Sequence, residues 1–182
     1  MLNIIAVTLF PEMFDSVTNF GVTGRALRKG LFSFSSINLR SFAINARGDV
    51  DDRPFGGGPG MLIRPEPVVQ AVAAARERLP GDGWVVYLSP QGKKLESLDV
   101  PRLLQKENIV FLCGRYEGVD ERAISLCVDE EISIGDYVLS GGELPAMVVI
   151  DAMVRWLPGV LGHPLSSAED SFSDGMLDCS HY

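Results

Sequence analysis

The sequence of 182 residues has few cysteines and no long apolar run, and each shortage excludes a class of protein. No apolar stretch approaches the roughly 20 residues that span a bilayer. The N-terminus also lacks the basic flank and the small-residue cleavage site of a secretory signal. We therefore expect no membrane association and a cytoplasmic location. Three irregularly spaced cysteines are too few for a disulfide framework.

Residues of the common catalytic, metal-binding and phosphate-binding motifs are also scarce. The only two histidines, His163 and His181, lie near the C-terminus, and no Gly-x-Ser-x-Gly elbow is present, which excludes Ser-His-Asp catalysis. Together with Cys179 these histidines match no standard metal-ligand spacing, so we predict no metal site. Neither a Gly-x-Gly-x-x-Gly fingerprint nor a Gly-Lys-Ser/Thr loop follows the early strands, which argues against a phosphate cradle.

The acidic net charge of −8 argues at first against a nucleic-acid partner, but the charge is unevenly distributed. Residues 1–64 contain 7 Lys and Arg against 5 Asp and Glu, whereas residues 65–182 contain 9 against 19. The basic residues of the first part could contact phosphates, and solvated surface arginines are the alternative. They are Arg25, Arg28, Lys29, Arg40, Arg47, Arg53 and Arg64.

What the sequence does contain is a repeated alternation of apolar runs, glycine-bearing loops and helical patterns. This alternation predicts an α/β domain with a mainly parallel sheet, and because the apolar runs are unbroken, helices should cover both faces. We predict strands at 4–10, 37–42, 84–88, 109–113 and 129–134. We predict helices at 12–19, 22–29, 65–79, 95–105 (with Pro101 as a flaw), 119–126 and 143–157. Residues 1–160 would form the domain, and residues 161–182 a linker or tail.

Three loops follow predicted strands directly, at residues 87–90, 114–118 and 133–142. In parallel sheets, ligands bind outside the carboxyl ends of the strands, where neighbouring loops diverge. These loops offer backbone amides and carbonyls, apolar side chains and one acid, Glu117. Such a pocket suits an adenine ring with a ribose and a neutral or zwitterionic group better than a triphosphate.

Two further regions contain polar residues that could contact a substrate. The Gly- and Pro-rich loop at 49–61 is either a contact loop or a flexible surface linker. Arg155, near the end of the last helix, and an acid of the tail would make a workable pair. The carboxylate can take a proton while the guanidinium stabilises a developing anion, although each could also be an ordinary surface charge. The tail acids are Glu169, Asp170, Asp174 and Asp178.

Five longer motifs follow one another along the chain. They are Phe-Pro-Glu-Met-Phe at 10–14, Arg-Pro-Phe-Gly-Gly-Gly-Pro-Gly-Met at 53–61, Leu-Ser-Pro-Gln-Gly at 88–92, Cys-Gly-Arg-Tyr-Glu-Gly-Val-Asp-Glu-Arg at 113–122, and Ser-Ile-Gly-Asp-Tyr-Val-Leu-Ser-Gly-Gly-Glu at 133–143. In this order they closely resemble the TrmD family of bacterial tRNA (guanine-N1)-methyltransferases, of the SPOUT superfamily. The resemblance covers essentially the whole chain. One departure is Ser180, where the family pattern has proline.

The resemblance implies an α/β fold of SPOUT type with a deep C-terminal trefoil knot, working as a homodimer. It implies S-adenosylmethionine as methyl donor, and magnesium dependence is a family trait. The small C-terminal tRNA-binding domain of the family is expected to be absent from this chain, which should keep donor binding and weaken tRNA affinity. The implied donor-binding residues are Tyr87, Leu88, Ser89, Pro90, Gly114, Glu117, Ser133, Ile134, Gly135, Tyr137, Val138, Leu139, Gly141, Gly142 and Pro145.

The implied reaction is methylation of N1 of the guanine at position 37 of tRNA. Asp170 matches the general base that removes the N1 proton, and Arg155 matches the residue that stabilises charge on the guanine. Implied substrate contacts are the loop residues Gly57, Gly58 and Pro59 near a flipped-out guanine, with Arg25 and Arg53 near the tRNA backbone. Two alternatives remain: a non-catalytic adenosine-ligand or RNA-binding module, and a SPOUT methylase with another RNA target.

Overall fold

A computed structural model describes residues 1–162, 170–173 and 175–180 of the chain. The strands are β1 (Leu2–Thr8), β2 (Phe32–Asn38), β3 (Asp51–Asp52), β4 (Leu62–Ile63), β5 (Trp84–Lys94), β6 (Asn108–Cys113) and β7 (Glu130–Ser133). The α-helices are α1 (Asp15–Thr18), α2 (Gly21–Arg28), α3 (Pro65–Arg78), α4 (Val100–Leu104), α5 (Glu121–Cys127) and α6 (Glu143–Val154). Short 3-10 helices occupy Pro11–Phe14, Leu39–Phe42 and Ser97–Asp99.

Five strands form one sheet in the order β2-β1-β6-β5-β7, and all four neighbouring pairs are parallel. Successive residues of β1 point to opposite faces: Ile4 packs with α2, α4 and α6, whereas Ile5 packs with α3 and α5. Both residues are buried. The prediction of a parallel α/β sheet with helices on both faces is confirmed. Within the described residues, none of the helices has the length and apolar character that a membrane span requires.

Two predicted elements were wrong in type or position. The strand predicted at 37–42 lies earlier, at Phe32–Asn38, and Leu39–Phe42 is a 3-10 helix that begins where the Asn38 side chain accepts a hydrogen bond from the Arg40 N–H. The Ser-rich run pairs only with β1, at the sheet edge, where polar side chains can remain partly exposed. The helix predicted at 95–105 is instead the 3-10 helix Ser97–Asp99 followed by the short α4. Pro101 lies in the first turn of α4, where its missing N–H costs nothing.

The sequence reasoning missed the antiparallel pair β3–β4, which flanks the glycine-rich loop. It also ended the strand at Leu88 too early, because β5 continues to Lys94. Ile132 of β7 pairs with both Leu88 and Lys93. Gly92 lies in the irregular part of β5 between these two residues. A Cβ on Gly92 would lie 2.4 Å from the backbone carbon of Glu131, so only glycine fits against β7 at this point. The predicted trefoil knot stays a prediction.

Candidate active site

A cavity of about 400 Å³ opens at the carboxyl ends of β6 and β7, beside the irregular part of β5 between Leu88 and Lys93. Its walls are residues 87–91, residues 114–119 and most of residues 132–142, with Pro145 from the first turn of α6. All fifteen residues predicted to bind the methyl donor line this one cavity. The parallel sheet explains the convergence, since it brings the ends of neighbouring strands to the same edge. Donor binding by these residues stays a prediction.

Tyr87 forms the first wall and is almost fully buried. Its hydroxyl accepts a hydrogen bond from the N–H of Val119 at 3.3 Å. A Cβ on Gly114 would lie 3.0 Å from the Tyr87 hydroxyl, so the two loops pack closely here. Burial raises the pKa of Tyr87, and the Val119 N–H partly opposes that rise. Tyr87 is therefore a neutral packing surface and not a proton acceptor at neutral pH.

The loop after β7 forms another wall and is held by its own hydrogen bonds. The Ser133 hydroxyl donates to the carbonyl of Gly135 at 3.0 Å, and the Tyr137 N–H donates to the same carbonyl at 2.9 Å. Beyond this turn, Tyr137, Val138 and Leu139 have exposed fractions of 55%, 84% and 38%. Exposed apolar side chains at the mouth of a cavity are typical of a site for a ligand with an aromatic or apolar part.

The cavity lining carries an excess of negative charge. Its charged residues are Arg115, Glu117 and Glu121. The Nε of Arg115 donates to a carboxylate oxygen of Glu143 at 2.8 Å, so its charge is already balanced. Such a lining disfavours a polyphosphate and suits a cationic or zwitterionic ligand. The sequence reasoning did not single out Arg115, because its partner lies 28 residues away and no local pattern marks the pair.

The glycine-rich loop between β3 and β4 lies at the rim of this cavity. The N–H of Glu117 donates to the carbonyl of Met61 at 2.9 Å, and the N–H of Ile63 donates to the carbonyl of Gly118 at 2.9 Å. Leu62 lines the cavity itself. Four glycines of the loop have positive φ values, which only glycine adopts readily: Gly56, Gly57, Gly58 and Gly60.

The predicted substrate contacts are not gathered in one place. Gly57, Gly58 and Pro59 are exposed in the rim loop, and Arg53 is exposed beside them. Arg25 is exposed on α2, a different element. Neither these arginines nor the three loop residues line either of the two cavities described. Their contact with tRNA stays a prediction.

Arg155 and Asp170, the predicted catalytic pair, meet in a second cleft of about 760 Å³. Nη2 of Arg155 donates to Oδ2 of Asp170, and a little under half of each side chain is exposed. This cleft shares no lining residue with the donor cavity. The structure thus brings the predicted pair together, but away from the predicted donor site of the same chain. Its catalytic role stays a prediction.

A turn of the tail holds Asp170 beside α6. The Ser173 N–H and hydroxyl donate to the backbone carbonyl of Asp170 at 3.2 Å and 2.8 Å. The Asp178 N–H donates to the Ser171 hydroxyl at 2.9 Å, which ties the end of the tail to the same turn. Asp178 also lines the cleft. The other candidate acids and histidines of the tail lie outside the described residues: His163, Glu169, Asp174 and His181.

Metal ligands are not assembled in the part of the chain that the structure describes. There, no group of three or more His, Cys, Asp or Glu side chains comes close enough to hold an ion. The predicted magnesium dependence stays a prediction.

Comparisons with known proteins agree with this geometry. A family profile described as tRNA (Guanine-1)-methyltransferase TrmD matches residues 2–182. The chain is 57% identical over 176 residues to a tRNA (guanine-N(1)-)-methyltransferase of Vibrio cholerae, covering 97% of the chain and 71% of the relative. It is 58% identical over 176 residues, with the same coverage, to the protein of that name from Aliivibrio salmonicida.

The solved structures include a similar fold. The crystal structure of tRNA (m1G37) methyltransferase from Aquifex aeolicus matches with a TM-score of 0.81 and 42% identity. The match covers 94% of this chain and 78% of that one.

Proposed function

The chain belongs to the tRNA (guanine-1)-methyltransferase family, and we propose that it methylates N1 of the guanine at position 37 of tRNA, with S-adenosylmethionine as the donor. The observation that carries the proposal is the donor cavity, because fifteen residues expected on it from the family resemblance converge there. The reaction is the one that the relatives' names give. The residue roles are those implied by the family motifs that this sequence matches.

The chemistry of the cavity supports this donor. The exposed Tyr137, Val138 and Leu139 offer apolar surface for an adenine ring. The unbalanced carboxylates of Glu117 and Glu121 favour a ligand with positive charge. S-adenosylmethionine has both parts and supplies a methyl group bonded to a positively charged sulfur.

The cleft of Arg155 and Asp170 has the groups that the acceptor base requires. The Asp170 carboxylate takes the proton from N1 of the guanine, and the lone pair left on N1 forms the new bond to carbon as the sulfur–carbon bond breaks. Arg155 stabilises the negative charge that spreads onto the guanine oxygen. Their present ion pair keeps both side chains oriented until the base separates them.

Two copies of the chain would unite the two sites. The donor cavity and the catalytic cleft share no residue within one copy. The catalytic cleft is lined by apolar side chains of α6, of which Leu144 and Val148 are 45% and 50% exposed. We propose that this face of α6 packs on a second copy, so that Asp170 of one subunit serves the donor cavity of its partner. A twofold axis would then create two equivalent sites.

Two further properties follow from the family. We propose a cytoplasmic location, because that is where the tRNA substrate of the proposed reaction would be found. Magnesium dependence is carried by the family resemblance alone, and no proposed step uses the ion.

One experiment separates the proposal from its alternatives. Isothermal titration of the chain with S-adenosylmethionine should give binding heat. The chain, in excess over substrate, should then transfer labelled methyl to a tRNA transcript with guanine at position 37 and not to one with adenine there. Single-turnover conditions are chosen because they report the transfer step itself. Donor binding without transfer to this tRNA, but with transfer to other cellular RNA, would support a different target. Absence of binding heat from folded protein would support a non-catalytic module.

A further inference from the structure

A buried carboxylate with two partners lies behind the donor cavity. Glu143, the first residue of α6, has no solvent exposure. One carboxylate oxygen accepts a hydrogen bond from the hydroxyl of Thr8 at 2.7 Å, and the other accepts from Nε of Arg115 at 2.8 Å. Thr8 is also fully buried, at the carboxyl end of β1. This network joins the end of β1, the loop after β6 and the start of α6.

The side chain of Arg115 connects two walls of the donor cavity. Its Nη1 donates to the carbonyl of Ser140 at 3.2 Å. The backbone of Gly141 lies directly beside the guanidinium, since a Cβ on Gly141 would lie 2.2 Å from Nε of Arg115. The Gly142 N–H donates to the carbonyl of Gly114 at 2.8 Å. All five residues line the cavity, so the arginine fixes the separation of the two loops that form it.

Residues of the motif at 10–14 also contact the guanidinium of Arg115. The guanidinium carbon lies 4.6 Å from the centre of the Phe10 ring, within the range of a cation–π contact. Nη2 donates to the sulfur of Met13 at 3.1 Å. Neither Phe10 nor Met13 lines the donor cavity or the catalytic cleft. Their contacts give the motif at residues 10–14 a role, which is to hold Arg115 in one orientation.

We propose that Arg115 is a positioning residue for the methyl donor: paired with Glu143 and clamped by Phe10 and Met13, it holds the loop at residues 140–142 in the form that binds. The inference rests on the proposed donor site. A guanidinium suits this task because its planar fork can serve a carboxylate and a carbonyl at once, whereas an ammonium cannot reproduce that geometry. The expected consequence is a loss of donor affinity that is separate from any loss of stability.

The test compares single and double variants by donor titration and thermal unfolding. Arg115→Met leaves the Glu143 carboxylate buried without its cation, so it should both lower the Tm and weaken donor binding. Adding Glu143→Gln removes the unpaired charge and should restore much of the Tm. The donor Kd of the double variant should nevertheless stay raised about tenfold, the loss expected for one charge-assisted contact. The rate at saturating donor should change far less than the Kd.

Arg122→Met is the matched control, because Arg122 forms an exposed pair with Asp120 and does not line the cavity. Its donor Kd should equal that of the parent. A double variant whose donor Kd recovers together with its Tm would overturn the inference, since the pair would then serve stability alone. A folded parent that gives no binding heat would overturn the proposed donor site and the inference with it. The double variant remains decisive even where Arg115→Met alone does not fold.

Discussion

The donor cavity and the cleft of Arg155 and Asp170 hold their functional groups in different ways. The cavity is built from the irregular part of β5 and from the loops that leave the carboxyl ends of β6 and β7. Backbone hydrogen bonds tie these loops together, such as that from Gly142 to Gly114. The cleft is built from one face of α6 and a turn of the tail, and its two main polar groups are nearly half exposed and bonded to each other.

This difference indicates which part of the reaction one chain can perform alone. The cavity walls are set by the sheet and by a buried ion pair, so one chain supplies all the residues proposed to bind the donor. The cleft has a carboxylate and a guanidinium, and among the described residues it shares no lining residue with the donor cavity. Donor binding and proton removal should therefore respond independently to substitution, and the second should depend on a partner subunit.

The largest expected effect is on proton removal. Asp170→Asn keeps the shape of the side chain but cannot accept the N1 proton, so the single-turnover rate of methyl transfer should fall about 100- to 10,000-fold. The donor Kd from titration should stay within about twofold of the parent. Glu77→Gln, an exposed carboxylate on α3, is the charge-matched control and should keep the parental rate. A parental rate for Asp170→Asn would remove Asp170 from the mechanism.

Mixing variants tests whether the two regions belong to different subunits. Asp170→Asn is co-expressed with a variant whose donor cavity is blocked, and hybrid dimers are allowed to form. If each site combines two subunits, about a quarter of the parental activity should return, because half the dimers are hybrids and each hybrid has one intact site. If Asp170 serves its own subunit, the mixture should be as inactive as either variant alone.

Features with a local sequence pattern were predicted, whereas features that depend on tertiary packing were not. Continuous apolar runs and glycine-bearing loops were enough to place the parallel sheet and the three loops of the donor cavity, because strand ends in such a sheet must converge. The Ser-rich strand Phe32–Asn38 was missed since an edge strand needs little apolar pattern. The pair of Arg115 and Glu143 was missed because it depends on tertiary packing alone. Asp170 was one of four candidate acids of the tail, and only the family resemblance singled it out.

A smaller effect, on the donor Kd, is expected from adding a methyl group at Gly142, where two loops of the cavity are in contact. A Cβ on Gly142 would lie 2.7 Å from the Cα of Cys113 and 2.9 Å from the backbone nitrogen of Gly114, and neither backbone atom can move cheaply. Gly142→Ala should raise the donor Kd about tenfold, in line with the cost of overpacking. Gly162→Ala is the control, because no atom of the described residues lies within 4 Å of the added carbon. Equal donor Kd values for the two variants would show that the loop contact does not shape the site.

The smallest effect should come from the rim loop, where the cavity meets the exposed glycines. Gly57 and Gly60 have similar φ values, +90° and +80°, so alanine strains the backbone about equally at both. At Gly60 the new Cβ would lie 2.4 Å from Cγ of Glu117, which lines the donor cavity, whereas at Gly57 no atom of the described residues lies within 4 Å. Gly60→Ala should therefore raise the donor Kd about threefold by displacing one flexible side chain, whereas Gly57→Ala should leave it unchanged. If titration finds the same rise for both variants, backbone strain in the loop explains it, and the rim loop does not act on the donor through Glu117.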